Sequence, residues 1–310
     1  MFWALVTVIS LHLAVGGAAS KPAAEQNSGA LSSNSQHQRK TAVSDSDADS
    51  DDNSTADSLS SDSSNPDSSQ YDPQAERQLL EMANAERARA GLSPLKMDTG
   101  LVRAARAHAA EMATQNQLSH QFSGEPPLPQ RLAASSSLHL ERTGENVAMA
   151  ADPDQAHHAL MSSPPHRDNL LSPNYNVAGF GVIRSGRVIY VAQDFGSSLP
   201  SYSVQQAQDL VDASVEQLRA QAKLPRLQRV DSRNAQSSAC AMAQADSLSA
   251  VAPPPGTAVL RYSSMTPETL PSSISKVIAA RDLHTYSAGT CYARTQKYPS
   301  GAYWVVLVFY

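Results

Sequence analysis

Cysteine is scarce in this chain. Cys240 and Cys291 are the only two, which excludes a disulfide-dense scaffold and a cysteine-rich metal centre. Charge is also sparse, at 17% of residues with a net charge of −5. Without a basic excess there is no electrostatic footprint for nucleic acid. No stable transmembrane span is expected either, because the apolar run Phe2 to Val15 is interrupted by His12 and falls short of the ~20 residues that cross a bilayer. No Lys or Arg precedes that run, but the small residues Gly16-Gly17-Ala18-Ala19-Ser20 follow it. Residues 1–20 therefore read as a signal peptide lacking its basic leader; an uncleaved anchor or a misplaced start are the alternatives. The product is then secreted, extracellular or periplasmic. In such a compartment Cys240 and Cys291 would form a bridge, whereas a chain that is not exported would keep two buried thiols.

Residues 21–70 show no hydrophobic period, and Ser44–Ser69 alternates serine with eight aspartates. This composition cannot bury enough apolar surface to offset ~1–2 kcal/mol of backbone entropy per residue. Calcium-binding repeats need glycine turns between their aspartates, and this stretch has none. It is expected to be a solvated, disordered tether.

Order is expected from Tyr71. Asp72-Pro73 starts a helix and Gly91 stops it; a second helix begins at Asp98, with Leu101, Ala105, His108 and Met112 on its buried face. Pro- and Gly-rich loop chemistry follows. A third helix runs from Asp152-Pro153 to Pro164-Pro165, and a hairpin joins Val177–Ile183 to Val188–Phe195 through Ser185-Gly186. This order predicts an α+β domain over residues 71–198. Residues 199–310 form a second α+β unit, read as a shortened, divergent repeat. Arg87–Leu95 aligns with Arg219–Leu227, Met112–Ser119 with Met242–Ser249, and Ala178-Gly179 with Ala288-Gly289. Chance similarity between Ala-rich helices is the alternative. The apolar ending Tyr303–Tyr310 reads as a buried central strand.

Four segments carry the chemistry: Ser119-His120, Gly144-Glu145-Asn146, Ser163-Pro164-Pro165-His166-Arg167-Asp168-Asn169, and Gln193-Asp194-Phe195-Gly196. With Ala105–Met112 ahead of them, they resemble the bacterial-type, SCP-like extracellular branch of the CAP superfamily (cysteine-rich secretory proteins, antigen 5 and pathogenesis-related proteins). The resemblance implies an α-β-α sandwich with a cleft of two histidines and two glutamates. Here His120, Glu145 and His166 match three of the four. The second glutamate would fall near Ser163, and the usual tryptophan of that helix is replaced by Leu160.

Two neutral imidazoles and a carboxylate could hold Zn²⁺ or another divalent metal, or act without one as a pH-responsive centre. His108 is expected in the core, His157 and His158 on the surface, and Ser119 is not expected to act as a nucleophile. The missing acid argues against turnover. The leading expectation is a secreted binding module for a lipid, a small hydrophobic ligand or a cell-surface component. The alternatives are a metal-assisted, peptidase-like hydrolase using the same cleft, and a structural envelope or matrix protein with a vestigial one.

Overall fold

The computed structural model describes residues 7–14, 71–250, 255–256 and 258–310. The expected tether, 21–70, lies outside these residues, as does all of the expected signal peptide except 7–14. Strand β1, Thr7–Ala14, runs antiparallel to β3 with Leu11 opposite Glu145. Among the described residues no helix is long and apolar enough to cross a membrane.

Helix α1 (Pro73–Arg89) begins where Asp72 accepts the Ala75 N–H, and α2 (Thr99–Gln115) where Asp98 accepts that of Leu101. These side chains satisfy donors that a helix start leaves unpaired. Leu101, Ala105, His108 and Met112 are all buried, as their spacing predicts. Short strand β2 (Lys96–Met97) lies between the two helices.

Two elements depart from the expected pattern. The Pro-rich loop contains α3 (Leu128–Ser135), with Pro129 in its first turn, where proline's missing N–H costs nothing. The Gly-Glu-Asn motif sits within a twelve-residue strand, β3 (His139–Ala150), so the sheet is not confined to the end of the domain. Helix α4 (Pro153–Ser162) stops at Pro164 as expected, but the two prolines then start α5 (Pro164–Leu170). Strands β4 (Val177–Ser185) and β5 (Val188–Leu199) form the hairpin. Ser185 pairs with Val188, so the two turn residues are Gly186-Arg187, one position later than expected; Gly186 takes φ 60°.

The first sheet has the order β1-β3-β5-β4-β2, with β2 parallel to β4 and the other pairs antiparallel. Helices α1, α4 and α5 pack on one face against Ala148, Phe180 and Val191. Helix α2 packs on the other against Val147, Tyr190 and Ala192. This is the α-β-α sandwich.

Residues 204–310 repeat that order of elements. They comprise α6 (Val204–Gln221), β6 (Gln228–Arg229), α7 (Arg233–Gln244), β7 (Ala258–Ser264), α8 (Ile274–Ile278), β8 (Thr285–Ala293) and β9 (Ala302–Phe309). The second sheet is β6-β8-β9-β7, again with its two-residue strand parallel and the rest antiparallel. Strand β9 is buried throughout and central, as its apolar sequence implies.

Details recur as well. Arg87 donates to Ser93 O and to the carbonyls of Leu170, Ser172 and Tyr175. Arg219 donates to Pro225 O and to those of Ile278 and Ala280. Left-handed residues close α1 and α6 at Gly91 and Lys223, and α2 and α7 at Asn116 and Asp246.

The strand pairings correct the sequence alignment by two residues. A Cβ on Gly181 would meet the backbone of Ala105, and one on Gly289 that of Ala235. Gly179 presses on α2 as well, so the strand pairings decide. Met97 lies opposite Ala178 and Arg229 opposite Tyr286, and with Met97 matched to Arg229, Gly289 corresponds to Gly181 rather than Gly179.

Cys240 on α7 and Cys291 on β8 form the expected disulfide, 51 residues apart in sequence. Reducing it should weaken residues 204–310 by about 2–4 kcal/mol while leaving 73–199 in place. Hydrogen exchange with and without reductant checks this; equal loss of protection in both parts is the contrary result.

Candidate functional site

Side chains alternate along a strand, so Glu145 shares the α2 face with Val147, Ala192 and Asp194, while Asn146 points to the opposite face. Gly144 is required by crowding: a Cβ there would lie 2.4 Å from the Tyr175 hydroxyl.

Glu145 is fully buried, yet both its oxygens are partnered. Oε1 is 2.8 Å from His120 Nδ1 and Oε2 accepts from Arg131 Nη2 at 2.8 Å. His108 Nε2 lies 3.8 Å from the same Oε2. His108 also contacts Glu125 through Nδ1 at 2.7 Å and the Ser119 carbonyl through Nε2 at 2.8 Å. It is thus a core histidine, as its helical position implies, and also a member of the site. Arg131, on the unforeseen α3, lies 3.3 Å from Glu125 through Nη1. It also donates to the His120 carbonyl through Nη2, holding the histidine loop in place.

Burial alone would raise the Glu145 carboxyl. The His120 hydrogen bond and the charges of Arg131 and His108 outweigh it and hold Glu145 below its ordinary value. Asp194, opposite Glu145 on β5 and fully buried, moves the other way. Burial, then the neighbouring Glu145 charge, push it well above the ordinary aspartate value.

The remaining predicted residues fall elsewhere. His166 is buried at the start of α5, with Nδ1 2.6 Å from Ser163 Oγ. Ser163, where the second glutamate was sought, thus serves to orient His166. The His166 carbonyl accepts from Asn146, which places it beside the face opposite the Glu145 carboxylate. Asn169 donates to the Glu145 carbonyl and to Asn146 Oδ1, tying α5 to β3. Leu160 is a fully buried core residue. Ser119 Oγ donates to the Gln121 carbonyl, consistent with a loop role. His157 is buried rather than superficial, and burial lowers its pKa.

Of the expected metal set His120, Glu145 and His166, His120 contacts Glu145 and His166 contacts Ser163. Among the described residues no group of three His, Cys, Asp or Glu is arranged to hold a metal ion. In this structure Glu145 spends one oxygen on His120 and the other on its ion pair with Arg131.

Outside the network, a cavity of about 500 Å³ opens between α2, α3 and the loop before α3. Its walls include Ala104, His108, Phe122, Glu125, Pro126 and Arg131. Network and cavity thus share His108, Glu125 and Arg131.

The sequence model of the cysteine-rich secretory protein family, CAP, matches residues 80–195. That segment belongs to the CAP superfamily, and its sandwich is the CAP domain of this chain. Over 114 residues the chain is 35% identical to the protein YkwD of Bacillus subtilis (strain 168), a match covering 36% of this chain and 44% of that one. Over 122 residues it is 30% identical to the membrane protein YlbC of the same organism, covering 39% and 34%. The chain therefore spans less than half the length of these relatives. A solved extracellular protein containing an SCP domain, from Bacillus anthracis str. Ames, is 26% identical with a TM-score of 0.37, covering 41% of each chain.

Proposed function

We propose that this is an exported CAP-domain protein that binds a small, partly apolar ligand beside the Glu145 network, followed by a shortened copy of the same fold. The observation that carries the reading is the shared wall of cavity and network. About 500 Å³ falls within the ~300–1,000 Å³ usual for small-molecule sites, and such sites combine apolar walls with a few fixed polar groups. Here Ala104, Ala107, Phe122, Pro126 and Ala134 supply apolar surface, while Glu111 and Glu125 offer acceptors. That chemistry suits a hydrophobic body carrying hydroxyl or amine donors. The network fixes Arg131 and His108 in advance, so little ordering entropy is lost on binding.

Native mass spectrometry of the protein with a panel of lipids, amphipathic alcohols and amines, glycans and Zn²⁺ tests the proposal. A one-to-one complex with an amphipathic compound, lost in Phe122→Asp, is the expected outcome. Retention of none of these compounds would leave the structural reading. Zn²⁺ retained by the parent but not by His120→Ala/His166→Ala would restore the metal centre and overturn the assignment.

A further inference from the structure

Opposite Glu145 the first sheet buries a second carboxyl, Asp194. We infer that Asp194, on β5, is held as the neutral acid and donates its proton to Glu145. This deepens the proposed reading of the site and rests on it.

The first support is geometric. Asp194 and Glu145 are cross-strand partners, both fully buried on the same face, and such partners have Cβ atoms ~4.5–5.5 Å apart. Among the described residues neither Asp194 oxygen has a hydrogen-bond donor as partner. An ionised carboxylate can only accept, so the ionised form would be a buried charge with nothing to hold it. The protonated form has a donor, and Glu145 retains lone pairs beyond those used by His120 and Arg131. The other charged or titratable groups of the network are His108 from α2, Arg131 from α3, and His120 and Glu125 from the loop between those helices. Arg131 is already shared by Glu145 and Glu125. A third full negative charge on Asp194 would therefore be unbalanced, and its raised pKa agrees.

The second support comes from the other half of the chain. Gly181 lies opposite Ala192, and Ala192 opposite Val147; Gly289 lies opposite Val306, and Val306 opposite Arg261. Two residues along, the pair Glu145–Asp194 therefore corresponds to the pair Val259–Val308. Val308 packs in the α7 core and Val259 lies against it. The same topology thus closes with two valines where the CAP domain places two acids. Burying carboxyls is costly where apolar groups would fit. The acid pair therefore belongs to the task of the first sheet and is not a requirement of the fold. Because Asp194 acts through Glu145, it is a positioning residue: its proton keeps Glu145 turned toward His120 and Arg131.

The test is a carboxyl-carbon NMR titration of the full chain, with urea unfolding of parent and Asp194→Asn across pH. The Asp194 resonance should keep its protonated position at neutral pH. A raised native pKa means that folding takes up a proton between the unfolded value, about 3.9, and the native one. Parent stability must then fall as pH rises through that window. Asp194→Asn keeps a donor for Glu145 and cannot ionise, so it should lack this fall and unfold at no lower urea concentration at neutral pH. An Asp194 resonance titrating near about pH 4, or an Asp194→Asn variant less stable than the parent at neutral pH, overturns the inference. Either readout is independent of whether a ligand is found, so failure here is separable from failure of the binding reading.

Discussion

Replacing Arg87 with alanine is expected to cost the CAP domain about 3–5 kcal/mol, a large fraction of the ~5–15 kcal/mol that holds an ordinary domain folded. The side chain is 1% exposed and, among the described residues, carries its charge with no carboxylate partner. Four backbone carbonyls take its place, at 2.8–3.0 Å. They belong to the turn after α1, the end of α5 and the approach to β4, segments up to 88 residues apart. Truncation removes a buried stem and leaves these acceptors short of donors, each worth about 1–3 kcal/mol where water cannot replace the arginine. Arg87→Lys should recover little of the loss, because an ammonium cannot reproduce the planar fork. Urea unfolding measures the effect, and a loss under about 1 kcal/mol would show that the carbonyls are satisfied by other means.

Glu145→Ala is expected to cost a similar amount, about 3–5 kcal/mol, for an electrostatic reason. It leaves Arg131 buried with only the more distant Glu125, and His120 without its Nδ1 partner. Glu145→Gln should cost less, since the amide oxygen can still accept one hydrogen bond. The pH dependence has a definite sign. The native Glu145 pKa lies below its unfolded value, so its contribution is present above about pH 4.3 and lost as pH falls through the native value. The gap between parent and Glu145→Gln should therefore close in acid. A gap constant across that range would show that the carboxylate contributes through shape alone.

The parts of this structure legible in the sequence are those with local causes. Asp72-Pro73 and Asp98 announce α1 and α2 because capping depends on a few consecutive residues. The all-apolar run of β9 announces a central strand because burial on both faces leaves no other pattern. Elements set by distant partners are harder to read. Helix α3 is hidden among prolines, and β3 mixes a buried acid and a buried amide with valine and alanine, so neither period shows. Arg131 was missed with its helix. The signal for Asp194 lay in the quoted Gln-Asp-Phe-Gly segment, but its meaning required the register that sets it opposite Glu145. His120 and Glu145 were matched correctly as neighbours. His166 is tied through its carbonyl to Asn146, whose side chain strand alternation puts on the face opposite Glu145. The glycine alignment slipped by two residues for a related reason. Two glycines in β4 both press on α2, and only the strand pairings distinguish which of them Gly289 repeats.

The charged network on the first sheet, set against valines on the second, makes ligand retention the decisive property. The most direct measurement compares the parent and Arg131→Met for capture of an amphipathic ligand, with urea unfolding recorded on the same samples. The account predicts that the folded variant loses the ligand, because Arg131 is one of the three side chains that network and cavity share. Undiminished binding by a folded Arg131→Met protein would contradict it and place the ligand elsewhere.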